Sequence, residues 1–250
     1  MRIVTWNMGY GYAPSGYRAF HDDAWEFLLN DLNPDIALLQ EAVVREEVPE
    51  GYEELLWTPA FPSEDWGSII LLRGQLSGER SLSLTETDLD WDDHRAQVAH
   101  GDLAGIGYAC VSNIHARTNR PKKMFPRLRK TFETVNEHRG ERFIVGGDFN
   151  TGRSHPQSAD WRDHSDFWRD IDGEWEFKEP LPFGRGERQS YWAHWANNQK
   201  PTEGNSMQDD HILLDEVTFE AKPKCLVWDT KEVRGLSDHG PVVVDLDLPA

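Results

Sequence analysis

Short polar words close one apolar run after another along this 250-residue chain. In order they are Thr5-Trp6-Asn7, Leu39-Gln40-Glu41, Ser112-Asn113-Ile114-His115, Gly146-Gly147-Asp148-Phe149-Asn150, Asp209-Asp210-His211 and Ser237-Asp238-His239-Gly240-Pro241. The runs that precede them, such as Arg2–Thr5, Asp35–Leu39 and Phe143–Val145, read as buried strands. A carboxylate, amide or imidazole at the end of a buried strand is badly placed for core packing. It is well placed to meet others on one rim of a sheet. The pattern therefore asks for a fold that gathers strand ends from the whole length of the chain.

Because the words run almost end to end, one domain spanning residues 1–250 is expected, and that length is ample for a sizeable core. Phe20, Ala24, Phe27 and Leu28 recur at helical spacing and predict a helix ending near Asn33-Pro34. Leu128, Phe132 and Val135 predict a second, with Pro126 near its start and Gly140 as its stop. Strands are expected over Asp35–Gln40, Gly67–Leu72, Gln97–His100, Gly107–Ile114, Arg142–Val145, Ser190–Trp195, His211–Leu214 and Val242–Leu246. Residues 43–66 are acidic and aromatic and read as irregular, and residues 151–189 are polar and Trp-rich. Clustered strands that outnumber helices indicate a mixed α/β protein with packed sheets, not an alternating barrel.

The formal net charge of -18 argues against tight, nonspecific coating of nucleic acid. The charge is uneven, however. Residues 117–130 hold Arg117, Arg120, Lys122, Lys123, Arg127, Arg129 and Lys130 with no acid, directly after His115. A solvated helix face and a contact for substrate phosphate are equally good readings of that run. Glu86–Asp93 reads as an acidic exposed loop. Cys110 and Cys225 sit in apolar contexts and read as buried free thiols, with neither a disulfide framework nor a zinc cluster. No run approaches the length of a membrane span, and the chain opens on a strand-like segment without a basic-then-apolar leader, so a cytoplasmic protein that does not engage a membrane is expected.

The words carry chemistry of unequal specificity. Asp148 and Asn150 follow two glycines and share a face if the strand continues; alone, they also fit a turn capped by Asp and Asn. Glu41 ends Ile36–Gln40, where a solvent-exposed glutamate would be ordinary. Magnesium, however, takes one or two carboxylates plus water and substrate phosphate, and Glu41 suits that role with Asn7 and Asp238 as neighbours. His239 precedes Gly240-Pro241 and a β run, and a histidine works as base or acid near neutral pH. A carboxylate that fixes its tautomer helps, and Asp210 is the candidate. Phosphoester hydrolysis needs an in-line water, a metal to neutralise charge and an acid for the leaving oxygen.

As an ordered set, Trp6-Asn7, Gln40-Glu41, Gly147-Asp148-Phe149-Asn150, Asp210-His211-Ile212 and Ser237-Asp238-His239 resemble the endonuclease/exonuclease/phosphatase superfamily. That superfamily includes DNases, abasic-site endonucleases, neutral sphingomyelinases, deadenylases and inositol-polyphosphate phosphatases. The resemblance implies a four-layer α/β sandwich: two packed mixed β-sheets flanked by helices, with the site at one edge. It implies that Glu41 binds Mg²⁺ or Mn²⁺ with Asn7 and Asp238 nearby. Asp148 would orient or deprotonate the attacking water, and Asn150 would hold the phosphate. His239, paired with Asp210, would act as base or stabilise charge on the phosphoryl group. Asp210 is preferred to Asp209 because Ile212-Leu213-Leu214 follows in register. His115 stands where DNase-like and sphingomyelinase-like members carry a second histidine, to contact a phosphate oxygen or serve as acid. Arg95, ahead of the Gln97–His100 strand, matches a phosphate-contacting arginine. His94, His100, His138, His155, His164 and His194 lie outside the motifs and read as structural or surface residues.

Substrate choice is expected to lie in residues 151–208. There Trp161, Trp168, Trp175, Trp192, Trp195, Phe167, Phe177, Phe183 and Tyr191 offer packing or base stacking, and Arg153, Arg162, Arg185 and Arg188 offer phosphate contacts. Packing is the better reading for Trp192 and Trp195. The leading expectation is a metal-dependent, DNase-like nuclease with nucleic acid as its partner. A phosphatase or phosphodiesterase for a small molecule, such as a nucleotide or phosphoinositide, is the first rival, and the acidity favours it. A non-catalytic binding module on the same scaffold is the second.

Overall fold

Alternation along the strands sorts the apolar side chains into three cores. In strand β1 (Arg2–Asn7), Ile3 faces one core and Val4 another; in β2 (Ile36–Val43), Ile36 and Leu38 join Ile3 while Ala37 and Leu39 join Val4. In β8 (Arg142–Asp148), Ile144 packs with Ile3 and Ile36, whereas Phe143 and Val145 face a third core. Residues from two sheets thus share the central core, and each sheet turns its other face to helices. Burial on both faces explains why these strands read as continuous apolar runs. The computed structural model describes residues 1–9, 17–60, 65–73, 81–83, 95–103, 105–116, 121–152, 161–180, 191–192, 206–228 and 230–247.

The remaining strands are β3 (Tyr52–Pro59), β4 (Trp66–Arg73), β5 (Ser81–Ser83), β6 (Arg95–Leu103), β7 (Gly107–His115), β9 (Tyr191–Trp192), β10 (Ser206–Met207), β11 (Asp210–Leu214), β12 (Lys224–Val227) and β13 (Val242–Asp245). One sheet has the order β12-β13-β1-β2-β4-β3 and the other β11-β8-β7-β6-β5, while β9 and β10 pair separately. Helix α1 (Tyr17–Phe27) runs into a π turn at Leu28–Leu32, and it packs with α5 (Val233–Leu236) on the outer face of the six-stranded sheet. Helices α2 (Pro121–Glu137) and α3 (Trp161–Gly173) cover the outer face of the five-stranded sheet. A short α4 (Glu216–Glu220) follows β11. The layers are helix, sheet, sheet, helix, the four-layer α/β sandwich that the family resemblance implies. No helix among the described residues is long and apolar enough to cross a membrane.

Three local expectations need correction. Residues 43–66 are not irregular throughout: β3 pairs with β4 along its length, as the sheet's edge. An edge strand tolerates acids such as Glu53 and Glu54, and these obscured its pattern. Residues 151–189, read only as polar and Trp-rich, contain α3, a helix not assigned from the sequence, whose His164, Phe167, Trp168 and Ile171 form a buried stripe at spacings of three and four. Helix α2 begins at Pro121, so Pro126 lies inside it instead of near its start. Of the thiols, Cys110 is buried and pushed up to about 12 by its burial, while Cys225 is only half-buried.

Candidate active site

The same alternation that builds the central core delivers the polar words to one rim. Asn7 shares its face with Ile3 and Thr5, and Gln40 with Ile36 and Leu38. Asn113 and His115 share theirs with Val111, Asp148 with Ile144, and Asp210 with Ile212 and Leu214. Register then aligns them: His115 stands opposite Asp148 across parallel β7 and β8, and Asp210 stands opposite Asp148 across antiparallel β8 and β11. Asn7 ends β1 opposite Gln40. Gly147 makes the close packing of β8 on β7 possible: its φ is +149°, and a Cβ there would sit 1.8 Å from the Ile114 carbonyl oxygen.

Asp148 Oδ2 is the hub. Asn7 Nδ2 donates to it at 2.9 Å, His115 Nε2 lies at 3.9 Å and His239 Nε2 at 4.0 Å. The other oxygen, Oδ1, accepts from the Asn150 backbone N–H at 2.8 Å. His239 Nδ1 is 2.7 Å from Asp210 Oδ2, which places the ring proton on Nδ1 and leaves Nε2 facing Asp148. Glu41 Oε1 is 3.6 Å from His115 Nε2. Two residues of the site hold left-handed backbone, Glu41 at φ +47° and Asn150 at φ +51°. Asn tolerates that region, whereas for Glu41 it is strain, beside a β-bulge between Leu39 and Ala42.

Burial of Asp148 pushes its carboxyl well above the usual carboxylate range; Asp210 and Asp209 add to this, while His239 and Asn7 oppose it. Burial alone would lower His239, but Asp210 and Asp148 outweigh it and hold the imidazole well above its ordinary value. Asp148, Asp210 and His239 each offer an atom within 4.8 Å of the others, a set that can hold a metal ion. Buried carboxylates crowded this closely call for positive charge, and Glu41 brings a further hard oxygen to the same rim, so the donor set fits a divalent cation. Asp238 is buried beside His239 and acts on it through charge.

The supporting residues lie inside the motifs but carry no chemical signature of their own. Ser237 Oγ donates to the Asn7 carbonyl at 2.8 Å and accepts from the His239 N–H at 3.0 Å. Trp6 Nε1 donates to the His239 carbonyl at 2.9 Å. Asn150 Nδ2 donates to the Ala116 carbonyl at 2.8 Å, so its amide ties the loop after β8 to the end of β7. His211, next to Asp210, points to the opposite face, where it lies 2.6 Å from the buried Glu179 carboxylate and 2.8 Å from the Thr151 carbonyl. No feature of the sequence marked Glu179 as the partner of a histidine 32 positions away.

Other expectations fall elsewhere. Arg95 stands opposite His115 in the β6–β7 register, its side chain outside the described residues. In the basic run, Arg129 binds Asp170 of α3 at 2.8 Å and lies 3.6 Å from both Glu133 and Glu174. It therefore joins two helices and is no free phosphate contact. Arg117 and Arg120, and the side chains of Lys122 and Lys123, lie outside the described residues. Phe167, Trp168, Trp175 and Phe177 are buried in the core between the five-stranded sheet and its helices, so they are unavailable for stacking on bases. Trp195, Phe183, Arg153, Arg185, Arg188 and the side chains of Trp161, Arg162, Tyr191 and Trp192 lie outside the described residues, as do His94, His155, His194 and Glu86–Asp93. His164 is buried with Nε2 2.8 Å from the Gly152 carbonyl, while His100 and His138 sit half-buried together away from the motifs.

This chain belongs to the Endonuclease/Exonuclease/phosphatase family, which it matches over residues 4–239. Among solved structures it resembles an endonuclease/exonuclease/phosphatase from Bacteroides vulgatus at a TM-score of 0.72 and 18% identity, over 99% of this chain and 98% of that one. It also resembles the endonuclease domain of TRAS1, a telomere-specific non-LTR retrotransposon, at a TM-score of 0.63 and 14% identity, over 100% and 99% of the two chains. A third likeness is to the human Nocturnin catalytic domain with a bound sulfate anion, at 0.65 and 16%, over 100% and 93%. No curated protein matches the sequence. At these identities the likeness is one of fold, and that fold is the phosphoesterase fold of the family.

Proposed function

We propose that the chain is a divalent-metal-dependent phosphodiesterase that cleaves nucleic acid, built as one domain over residues 1–250. The observation that carries this is the environment of Asp148: an amide and two imidazoles around the buried oxygen Oδ2, with the Asp210 carboxylate in the same cluster. Glu41, with Asn7 and Asp238 nearby, would hold Mg²⁺ or Mn²⁺. When bound, the ion neutralises charge on the phosphate. Asp148, fixed by Asn7 and the Asn150 N–H, orients the attacking water and takes its proton. His239, oriented by Asp210, acts as base or stabilises the charged phosphoryl group through Nε2. His115 sits on the side of Glu41 and contacts a phosphate oxygen or gives a proton to the leaving oxygen; Asn150 and Arg95 complete the phosphate contacts. The endonuclease domain with this fold supports a nucleic-acid substrate, and the sulfate in the Nocturnin domain supports binding of a tetrahedral oxyanion.

The net charge of -18 and the capture of Arg129 by Asp170 favour a second reading, a phosphatase or phosphodiesterase for a small nucleotide or phosphoinositide. One assay separates them. Purified protein with Mg²⁺ or Mn²⁺ is offered single- and double-stranded DNA, RNA and small phosphoesters. Cleavage of nucleic acid that Glu41→Ala and His239→Ala abolish is the expected result. Turnover of small esters alone would replace the first reading with the second. Inactivity on every substrate, with tight partner binding, would indicate a non-catalytic module.

A further inference from the structure

An unbroken chain of side-chain amides crosses from one sheet to the other next to the rim. Gln40 Nε2 donates to Asn113 Oδ1 at 2.6 Å, and Asn113 Nδ2 donates to Gln97 Oε1 at 3.0 Å. Gln97 Nε2 in turn donates to Thr58 Oγ1 and the Ser68 carbonyl, both at 3.0 Å. Gln40, Thr58 and Ser68 belong to the six-stranded sheet, Asn113 and Gln97 to the five-stranded one. All three amides are fully buried. They occupy the last layer of the intersheet space before the polar rim.

Apolar contacts would have held the sheets together here, as they do between Ile36, Leu38, Val111 and Ile144. Each hydrogen bond adds only about 1 kcal/mol net, while an unpartnered buried amide costs about 1–3 kcal/mol. What directional bonds supply, and oily contacts do not, is a set distance and register. The neighbours of the chain show which distance. Gln40 immediately precedes Glu41, and Asn113 lies two residues before His115 on the same face. Asn113 Nδ2 also lies 2.8 Å from the carbonyl oxygen of Leu39, where the β2–β4 register shifts and the backbone turns into the left-handed conformation of Glu41. Glu41 and His115 come from different sheets yet approach to 3.6 Å. A slide of one sheet over the other by an ångström would open or close that gap.

We propose that Asn113, linked to Gln40 and Gln97, is a positioning residue: the amide chain sets the separation of Glu41 and His115 across the two sheets and thereby the divalent-cation affinity of the site. The second half of this statement rests on the reading of Glu41 as the metal ligand. Asn113 touches neither cation nor substrate and acts through the Leu39–Glu41 backbone and the end of β7.

The test uses two variants of the full chain. Asn113→Leu breaks the chain: Gln97 Oε1 loses its donor, while Gln40 Nε2 keeps Thr5 Oγ1 and the Leu38 carbonyl as acceptors. The triple variant Gln40→Met, Asn113→Leu, Gln97→Met replaces every amide by an apolar group of similar size, so that no amide is left unpaired, although the Leu38, Leu39, Ser68 and Ile69 carbonyls and the Thr5 and Thr58 hydroxyls lose these donors. Three quantities are read: Tm, Mn²⁺ affinity by titration calorimetry, and the imidazole resonances of His115 in metal-free protein, with His100, on the opposite face of β6 from Gln97, and His138 as references. The triple variant is expected to unfold in one cooperative transition, at a lower Tm than the wild type, and to bind Mn²⁺ while folded roughly 10–100-fold more weakly, as loss of ligand support commonly does. The His115 resonances are expected to shift while those of His100 and His138 stay in place. A folded triple variant with wild-type Mn²⁺ affinity and an unmoved His115 would overturn the proposal, as would a shift of all three histidines alike. Glu41→Ala is the control: if it binds Mn²⁺ like the wild type, the metal reading of Glu41 fails, and the His115 resonances still decide the positioning claim.

Discussion

Asp148 and His239 form the coupled centre of the site, and each has a protonation preference set by burial and by the other. His239 is held above the ordinary histidine value of about 6.5. A group whose folded pKa is raised stabilises the fold fully below its unfolded pKa, and that contribution is lost as pH rises through the folded value. Asp148, also raised, has the same sign. The Tm of the metal-free protein is therefore expected to fall as pH rises above about 6.5, measured by calorimetry across pH 5–9; a flat profile would mean that the buried carboxylates do not hold the imidazolium. His239→Ala is expected to lower kcat roughly 10²–10⁴-fold with the circular dichroism of the folded protein retained. His21 shows the opposite sign. Burial lowers it to about 4, against the pull of Asp22, Glu41 and Asp65. Its contribution is present above the unfolded value and is lost as pH falls from about 6.5 towards 4. A titration of the His21 ring resonance that places its midpoint near 6.5 would contradict this.

At the scale of elements, β8 is the strand on which the rest of the site depends. It pairs with β7 on one side and β11 on the other, and it ends in Asp148. Gly146 packs into the intersheet space, where a Cβ would meet a Leu38 methyl at 2.6 Å, and Gly147 lies against the Ile114 carbonyl. Gly147→Ala combines backbone strain of about 1–3 kcal/mol with a clash against main chain. The expected outcome is a protein destabilised by at least about 2–3 kcal/mol, or insoluble, in chemical denaturation; wild-type stability would show that β7 and β8 can separate at no cost. Strands such as β1, β2 and β8 were legible in the sequence because both faces are buried and each holds a run of apolar residues ahead of its polar end. Strand β3 was not, because an edge accepts charge, and α3 was not, because its buried stripe is interleaved with Arg and Asp. Arg129 shows a related gap: a basic run says nothing about whether acids from another helix will meet it.

For the whole molecule, which carries a net charge of -18, one rim brings Asp148, Asp209, Asp210, Asp238 and Glu41 near one another. An ion that binds only the folded chain raises its stability by mass action, about 2.7 kcal/mol at 100 times its Kd. Mn²⁺ is thus expected to raise the Tm of the wild type but not of Glu41→Ala in differential scanning calorimetry, and a chelator is expected to abolish turnover reversibly. Equal shifts in both proteins would place the ion elsewhere. For the words inside regular strands the face was settled by the sequence alone, because the two-residue period of a strand is a local property and ties Asp148 to Ile144 and Asp210 to Ile212; Glu41, at the bulge of β2, and His239, ahead of β13, fall outside that rule. The resemblance implied that His239 meets Asp210, and the 2.7 Å contact agrees. Which other words meet was settled only by the tertiary structure: Asn7 reaches Asp148 across 141 positions through sheet order and register. Distances, burial and the resulting protonation are set by neighbours far away in the chain, so they arise only when the two sheets close on each other.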